Sequence, residues 1–241
     1  MSRWVWVLIA CVAGAPAFGD GEVAPLPASS LKDRVEPATG PVIPVPEPAA
    51  TADGHMATLS TVYHTRFDAY LAGAEDAPVG VLLVPDRWGL SAEVKEWADR
   101  VAALGYRVLA VDLYDGRHVA DARAAAEVWS SIDPVWIEAD LDAAMAYLRR
   151  GQGRIVLMGW GKGVGAATPL LVRHPGVIRA MVTYYDSETL TAGDRAGKQP
   201  FPVLDVLTPR TLAGPPAETL PAQAVADAWT ATEQFLSRLF Q

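Results

Sequence analysis

Arg154-Ile155-Val156-Leu157-Met158-Gly159-Trp160-Gly161-Lys162-Gly163-Val164-Gly165 reads as a buried strand, a tight glycine-rich turn and the start of a helix. Ile155 to Met158 is continuously apolar, as in a strand covered on both faces. Strand, sharp turn and helix in that order make an elbow that presents a nucleophile at its centre, with small residues two positions to either side. Gly159 and Gly163 fill the flanking places. Gly161 holds the central one, and glycine has no side chain with which to attack. The segment therefore says more about fold than about activity.

Working outward, strands and helices alternate. Thr58 to Ala72 alternates apolar residues and reads as a hairpin of edge strands. Val79 to Val84 is an apolar run expected to be a strand buried on both faces. A helix capped by Ser91 follows, with Val94, Trp97, Ala98, Val101 and Leu104 on one face and Gly105 at its end. Tyr106 to Val111 is the next strand, and Ala120 to Trp129 is helical. Asp133-Pro134 reads as an N-cap with proline at the first helical position, and places Ile137, Leu141, Ala144 and Leu148 inward. After the elbow a helix is expected from Gly163 to about His174. Strands follow over Ile178 to Tyr184 and Phe201 to Leu207. A closing helix from Ala222 to Phe240 carries Val225, Trp229, Phe235, Leu236 and Leu239 as its stripe. Such alternation requires an α/β fold, a mostly parallel sheet with helices on both faces.

The 241 residues are 51% hydrophobic and 20% charged, ample for one core. A net charge of −8 argues against nucleic acid as a partner, because phosphate backbones call for basic patches. Residues 1–17 resemble an export signal: Arg3, then apolar Trp4 to Val12, then Ala15-Pro16-Ala17 as a cleavage site before Phe18. The expected location is therefore periplasmic or secreted. Leu8-Ile9-Ala10-Cys11 also resembles a lipoprotein signal, so a lipid anchor on Cys11, the sole cysteine, is the alternative and the one route to a membrane. Residues 18–54 hold seven prolines between Pro25 and Pro48 and read as an extended linker, or else as a segment lying across the domain. The domain is expected over 55–241.

Further matches sit in order around the elbow: Leu83-Val84-Pro85-Asp86-Arg87-Trp88-Gly89-Leu90, then Trp97-Ala98-Asp99-Arg100-Val101-Ala102 with Gly105-Tyr106, then Val111-Asp112-Leu113-Tyr114-Asp115-Gly116-Arg117, and finally Pro202-Val203-Leu204 followed by Pro215-Pro216. Together they resemble the dienelactone hydrolases, a branch of the α/β-hydrolase fold. The resemblance implies a three-layer sandwich and hydrolysis of carboxylic esters or lactones. The departures are specific. The family has His-Glu where this chain has Pro85-Asp86, and Cys or Ser where it has Gly161. The family's acid falls about at Thr211. Its histidine lies on a loop after a last strand that this chain lacks, since Leu220-Pro221 leads almost directly into the closing helix and no histidine follows His174. A triad of this fold runs nucleophile, acid, histidine along the chain, so the proton-transfer pair is missing. The expectation is a catalytically inactive, exported relative that acts as a small-molecule-binding or scaffold domain. A hydrolase with a non-standard site is the alternative.

Ligands in open α/β sheets bind beyond the carboxyl ends of the strands. Candidate ligand-binding residues there are Arg87, Trp88, Tyr114, Arg117, Trp160, Lys162 and Tyr185, suited to a small carboxylate or ester-like ligand. Arg117 resembles the arginine that in some family members holds a carboxylate; pairing with Asp115 or Asp121 is its other reading. The Lys162 N–H, with one from the Asp86-Arg87-Trp88 turn, could bind an anion or a carbonyl oxygen. Asp86 and His118 are the remaining candidates for a base. Tyr184 is expected in the core, and His55, His64 and His174 are expected to be structural. No cofactor is expected: four scattered histidines give no metal spacing. The glycines at 159, 161, 163 and 165 fit neither nucleotide-binding pattern.

Overall fold

The computed structural model describes residues 9–10, 54–117, 119, 121–186, 200–208 and 222–239. Most of the two N-terminal segments, and Thr211, Pro215, Pro216 and His118, lie outside the described residues.

The sheet begins with a hairpin, β2 (His55–Ser60) and β3 (Arg66–Ala72). The helices and strands that follow are β4 (Gly80–Val84), α1 (Ala92–Ala103), β5 (Arg107–Val111), α2 (Ala122–Ser131), α3 (Pro134–Leu148), β6 (Ile155–Trp160), α4 (Gly161–Ala167), α5 (Pro169–Arg173), β7 (Ile178–Asp186), β8 (Val203–Thr208) and α6 (Ala222–Leu239). A two-residue strand, β1 (Ile9–Ala10), pairs in parallel with β8. The order across the sheet is β1-β8-β7-β6-β4-β5-β3-β2, and β3 alone runs against the other strands, antiparallel to both β5 and β2. Among the described residues the sheet stays open, with β1 and β2 at its two edges. The hairpin sits less peripherally than the sequence pattern suggests. β3 is interior, bonded to β5 on one side and β2 on the other, and only β2 is an edge.

Burial follows from the strand pattern. β4, β5 and β6 are buried at every residue, because helices cover both faces. One apolar layer packs the sheet against α1 and α6, the other against α3, α4 and α5. The caps read from sequence are present. Ser91 accepts from Val94 N–H at 3.4 Å and Asp133 from Val135 N–H at 2.9 Å, with Pro134 at the helix start.

Two expectations are corrected. The helix after the elbow is two short helices broken at Thr168, because Pro169 has no N–H to continue the ladder. The stripe of α6 is rotated: Ala224, Ala228, Thr232 and Leu236 are buried, while Val225, Trp229, Phe235 and Leu239 only flank the core. Small residues every fourth position let α6 lie close to the sheet, and Thr232 hydrogen-bonds the Tyr184 hydroxyl at 2.6 Å.

The elbow needs its glycine at 163 for lack of room. A Cβ there would strike the carbonyl oxygen of Pro85 and lie 2.8 Å from that of Val84, both backbone atoms that cannot swing aside. Gly163→Ala should therefore cost about 1–3 kcal/mol or more, read as a lowered urea midpoint. Gly165→Ala, on the same helix with nothing within 4 Å of its added methyl, should gain about 0.5–1 kcal/mol.

Candidate functional site

β4 and β6 are neighbours, with Val84 opposite Gly159, so the turns that leave their carboxyl ends meet. The β6–α4 turn has Gly161 at its centre with φ +42°, a left-handed conformation that suits glycine. The β4–α1 turn brings in Asp86, which is buried. A Cβ on Gly161 would lie 2.8 Å from Asp86 Cγ and Oδ1 and 2.9 Å from Oδ2. The Asp86 carboxylate thus stands where a nucleophile's side chain would project. Its Oδ1 also accepts the Lys162 N–H at 2.8 Å. In an elbow that amide is the donor that would stabilise an oxyanion. Here a carboxylate of the same chain takes it, and adds a negative charge where a reaction would need to build one.

The remaining candidates divide between a turn, a loop and the core. Tyr114 is buried and donates its hydroxyl to Arg87 O at 2.6 Å, tying the β4–α1 turn to the loop after β5. Burial, and then the nearby Asp86 carboxylate, push the Tyr114 phenol well above its usual range. That loop is shaped by Asp112, whose carboxylate accepts from Tyr114 N–H at 2.9 Å and Gly116 N–H at 2.7 Å. Arg117 is exposed and its Nε donates to Tyr114 O at 2.9 Å. The Arg87 guanidinium lies 5.5 Å from the centre of the Trp88 ring, and Trp88 is buried. Lys162 is exposed. Tyr185 lies in β7 opposite Leu207, its side chain outside the described residues.

Trp160 belongs to the core. It is fully buried, stacks on Tyr184 at 5.0 Å and meets Trp97 edge-on at 6.0 Å. Trp97 also meets Trp229, which Arg100 covers at 4.0 Å. Tyr184 is buried, as its place in the strand pattern implies. Among the described residues, three buried donors at this end of the sheet have no hydrogen-bond partner: Arg87 Nε, Trp88 Nε1 and Trp160 Nε1. Leaving such a group unsatisfied costs about 1–3 kcal/mol, so an acceptor there would be stabilising. Among the described residues no group of three or more His, Cys, Asp or Glu could hold a metal ion.

The sequence reading missed Asp140 on α3. Burial first, then the charges of Asp115 and Asp112, push its carboxyl up to about 7. Its position beside the inward Ala139 and Leu141 was the available signal.

A family model described as the dienelactone hydrolase family matches residues 67–206. No match is found among curated proteins. Among solved structures, a protein designated m3DLH is 21% identical, with a TM-score of 0.59 over 80% of this chain and 100% of that one. A dienelactone hydrolase-like promiscuous phosphotriesterase from metagenomic libraries is 22% identical, with a TM-score of 0.57 over 78% and 99%. A dienelactone hydrolase from Anabaena variabilis is 13% identical, with a TM-score of 0.54 over 77% and 98%. At these identities the likeness concerns the fold.

Asp140 also sets a pH dependence. The folded state holds its proton more tightly than the unfolded chain, whose carboxyl titrates near 3.8. This group therefore contributes stability below that value, and the contribution is lost as pH rises toward about 7. Asp140→Asn should melt higher than wild type at pH 8, and the gap should close on acidification to pH 4; equal melting temperatures at pH 8 would refute the assignment.

Proposed function

The chain belongs to the dienelactone hydrolase family, and from that premise we propose that it is a member which binds a ligand without hydrolysing it. The observation that carries this reading is the Asp86 carboxylate, packed against Gly161 and bonded to the Lys162 amide. An attacking atom is missing, its space is filled, and the oxyanion donor is engaged. Losing the members of such a catalytic unit leaves only binding.

The binding half of the reading draws on the unpartnered donors of Arg87 and Trp88 at the β4–α1 turn. They suit the oxygen of a small ester, lactone or carboxylate. The competing reading, a hydrolase with a non-standard site, draws on family membership and needs Asp86 or His118 as its base. A scaffold role, through a surface alone, is what remains if no small molecule binds.

We also propose that the protein is exported, on the strength of residues 1–17; cleavage before Phe18 would remove β1 and leave β8 as an edge strand. None of the described helices is long and apolar enough to cross a membrane. N-terminal sequencing of the protein recovered from its native host should begin at Phe18; a chain retaining Met1 would overturn export, and a lipidated Cys11 would select the anchored form.

Purified protein should turn over an activated aryl ester no faster than buffer. Turnover that vanishes in Asp86→Ala/His118→Ala, or an acyl adduct on the chain, would reverse the proposal. Gly161→Cys should gain no activity and should lose about 1–3 kcal/mol of stability, because its Cβ lands on the Asp86 carboxylate. Small lactones and carboxylates should raise the melting temperature of wild type and not of Trp88→Phe, which keeps a ring and removes the donor. An absent shift in wild type would leave the scaffold role.

A further inference from the structure

Two aromatic rings sit half out of the surface at the carboxyl rim of the sheet, away from the Asp86 site. Tyr63, at the tip of the β2–β3 hairpin, is 60% exposed, and Trp136, in the first turn of α3, is 44% exposed. Their rings meet edge-on at 5.9 Å. Beside them Val62 is 82% and Val135 55% exposed. Singly exposed apolar residues need no explanation, but four brought together from elements about seventy residues apart do.

The patch is held rigid. In the hairpin tip Thr61 N–H donates to Thr65 O at 2.9 Å, and the two threonine hydroxyls bond at 2.6 Å. Tyr63 N–H donates to the Thr61 hydroxyl at 3.2 Å, and His64 takes φ +61°. Opposite, the Asp133 cap and Pro134 fix the start of α3. Aromatic anchors fixed before contact lose little entropy when something docks on them.

We infer that this patch docks the chain's own proline-rich segment, Pro41-Val42-Ile43-Pro44-Val45-Pro46-Glu47-Pro48. Proline-rich chain lies in the extended polyproline conformation, and its rings settle on exposed Tyr and Trp because little entropy remains to be lost. The lengths agree. The described domain begins at Gly54, which is fixed by its N–H to Asp99 at 3.2 Å, at the amino end of β2. The patch lies past the other end of that strand, six residues or about 20 Å away. Pro48 and Pro41 stand six and thirteen residues before Gly54, a reach of about 19 to 40 Å at the polyproline rise. The run therefore spans the distance to the rings. A run docked in this way would pass the outer edge of β2, which among the described residues pairs only with β3. Proline cannot donate to a ladder, so a strap of this composition covers that edge without extending the sheet.

The test uses the full chain in a Cys11→Ser background. Val45→Cys is paired with Val62→Cys beside the patch, or with Val172→Cys, an equally exposed valine on α5. Disulfide formation under mild oxidation is followed by mass. The Val62 pair should close about tenfold faster, the factor that about 1.4 kcal/mol of docking gives. The rate should be independent of protein concentration and should fall about tenfold when Tyr63→Ala/Trp136→Ala is added, while the rate of the Val172 pair should not change. Equal rates for the two pairs would overturn the inference. So would closure indifferent to loss of the rings, or a concentration-dependent link between chains, which would assign the patch to a second copy. None of these outcomes depends on ligand binding or ester turnover at Asp86.

Discussion

Asp86 and Lys162 are 76 residues apart in the chain, and the contact between the Asp86 carboxylate and the β6–α4 turn fixes how the two halves of this end of the sheet meet. The turn is sharp enough to bring Gly163 against the carbonyl of Pro85 and open enough, for want of a side chain at 161, to admit a carboxylate. Each condition depends on the other. A larger residue at 161 would expel Asp86, and without Asp86 the first amides of α4 would lose an acceptor. From this pair the β4–α1 turn takes its position, Tyr114 grips that turn through Arg87 O, and Asp112 holds the loop that carries Tyr114.

Beneath this end lie two apolar layers of different character. The layer toward α1 and α6 is aromatic, with Trp97 touching Trp160, Tyr184 and Trp229. The layer toward α3 and α4 is mostly aliphatic, built on Leu82, Leu109, Leu141, Leu148 and Leu157. Trp160 lies in the aromatic layer, which removes from the candidate site one residue that the strand pattern had placed at its wall.

The fold was largely legible because its signals are local. Apolar runs over β4, β5 and β6, the caps at Ser91 and Asp133, and the glycine spacing of the elbow each concern a few consecutive residues. Pro169 was equally visible, and its break of the post-elbow helix follows from the same rule that placed Pro134 at a helix start. The phase of α6 was less accessible: large apolar residues suggested one stripe, whereas close approach selected the one built on Ala224 and Ala228. The site was legible only in what it lacks. Nothing in the spacing of Pro85-Asp86 or Gly159-Trp160-Gly161 says that a carboxylate from one turn enters the gap left in the other, because that is a property of strand order. Asp140 likewise acquires its proton affinity from burial first, and then from Asp115 and Asp112 on a separate loop.

The fit between Asp86 and Gly161 also bears on how such a chain could change over generations. A codon change that put a thiol or hydroxyl at 161 would arrive in a space already taken, and would be selected against before any chemistry could reward it. A prior change at 86 would leave an amide without its acceptor and confer nothing. The two positions are therefore coupled, and substitutions at 86 and 161 would not act independently, whereas those at the rim and surface would.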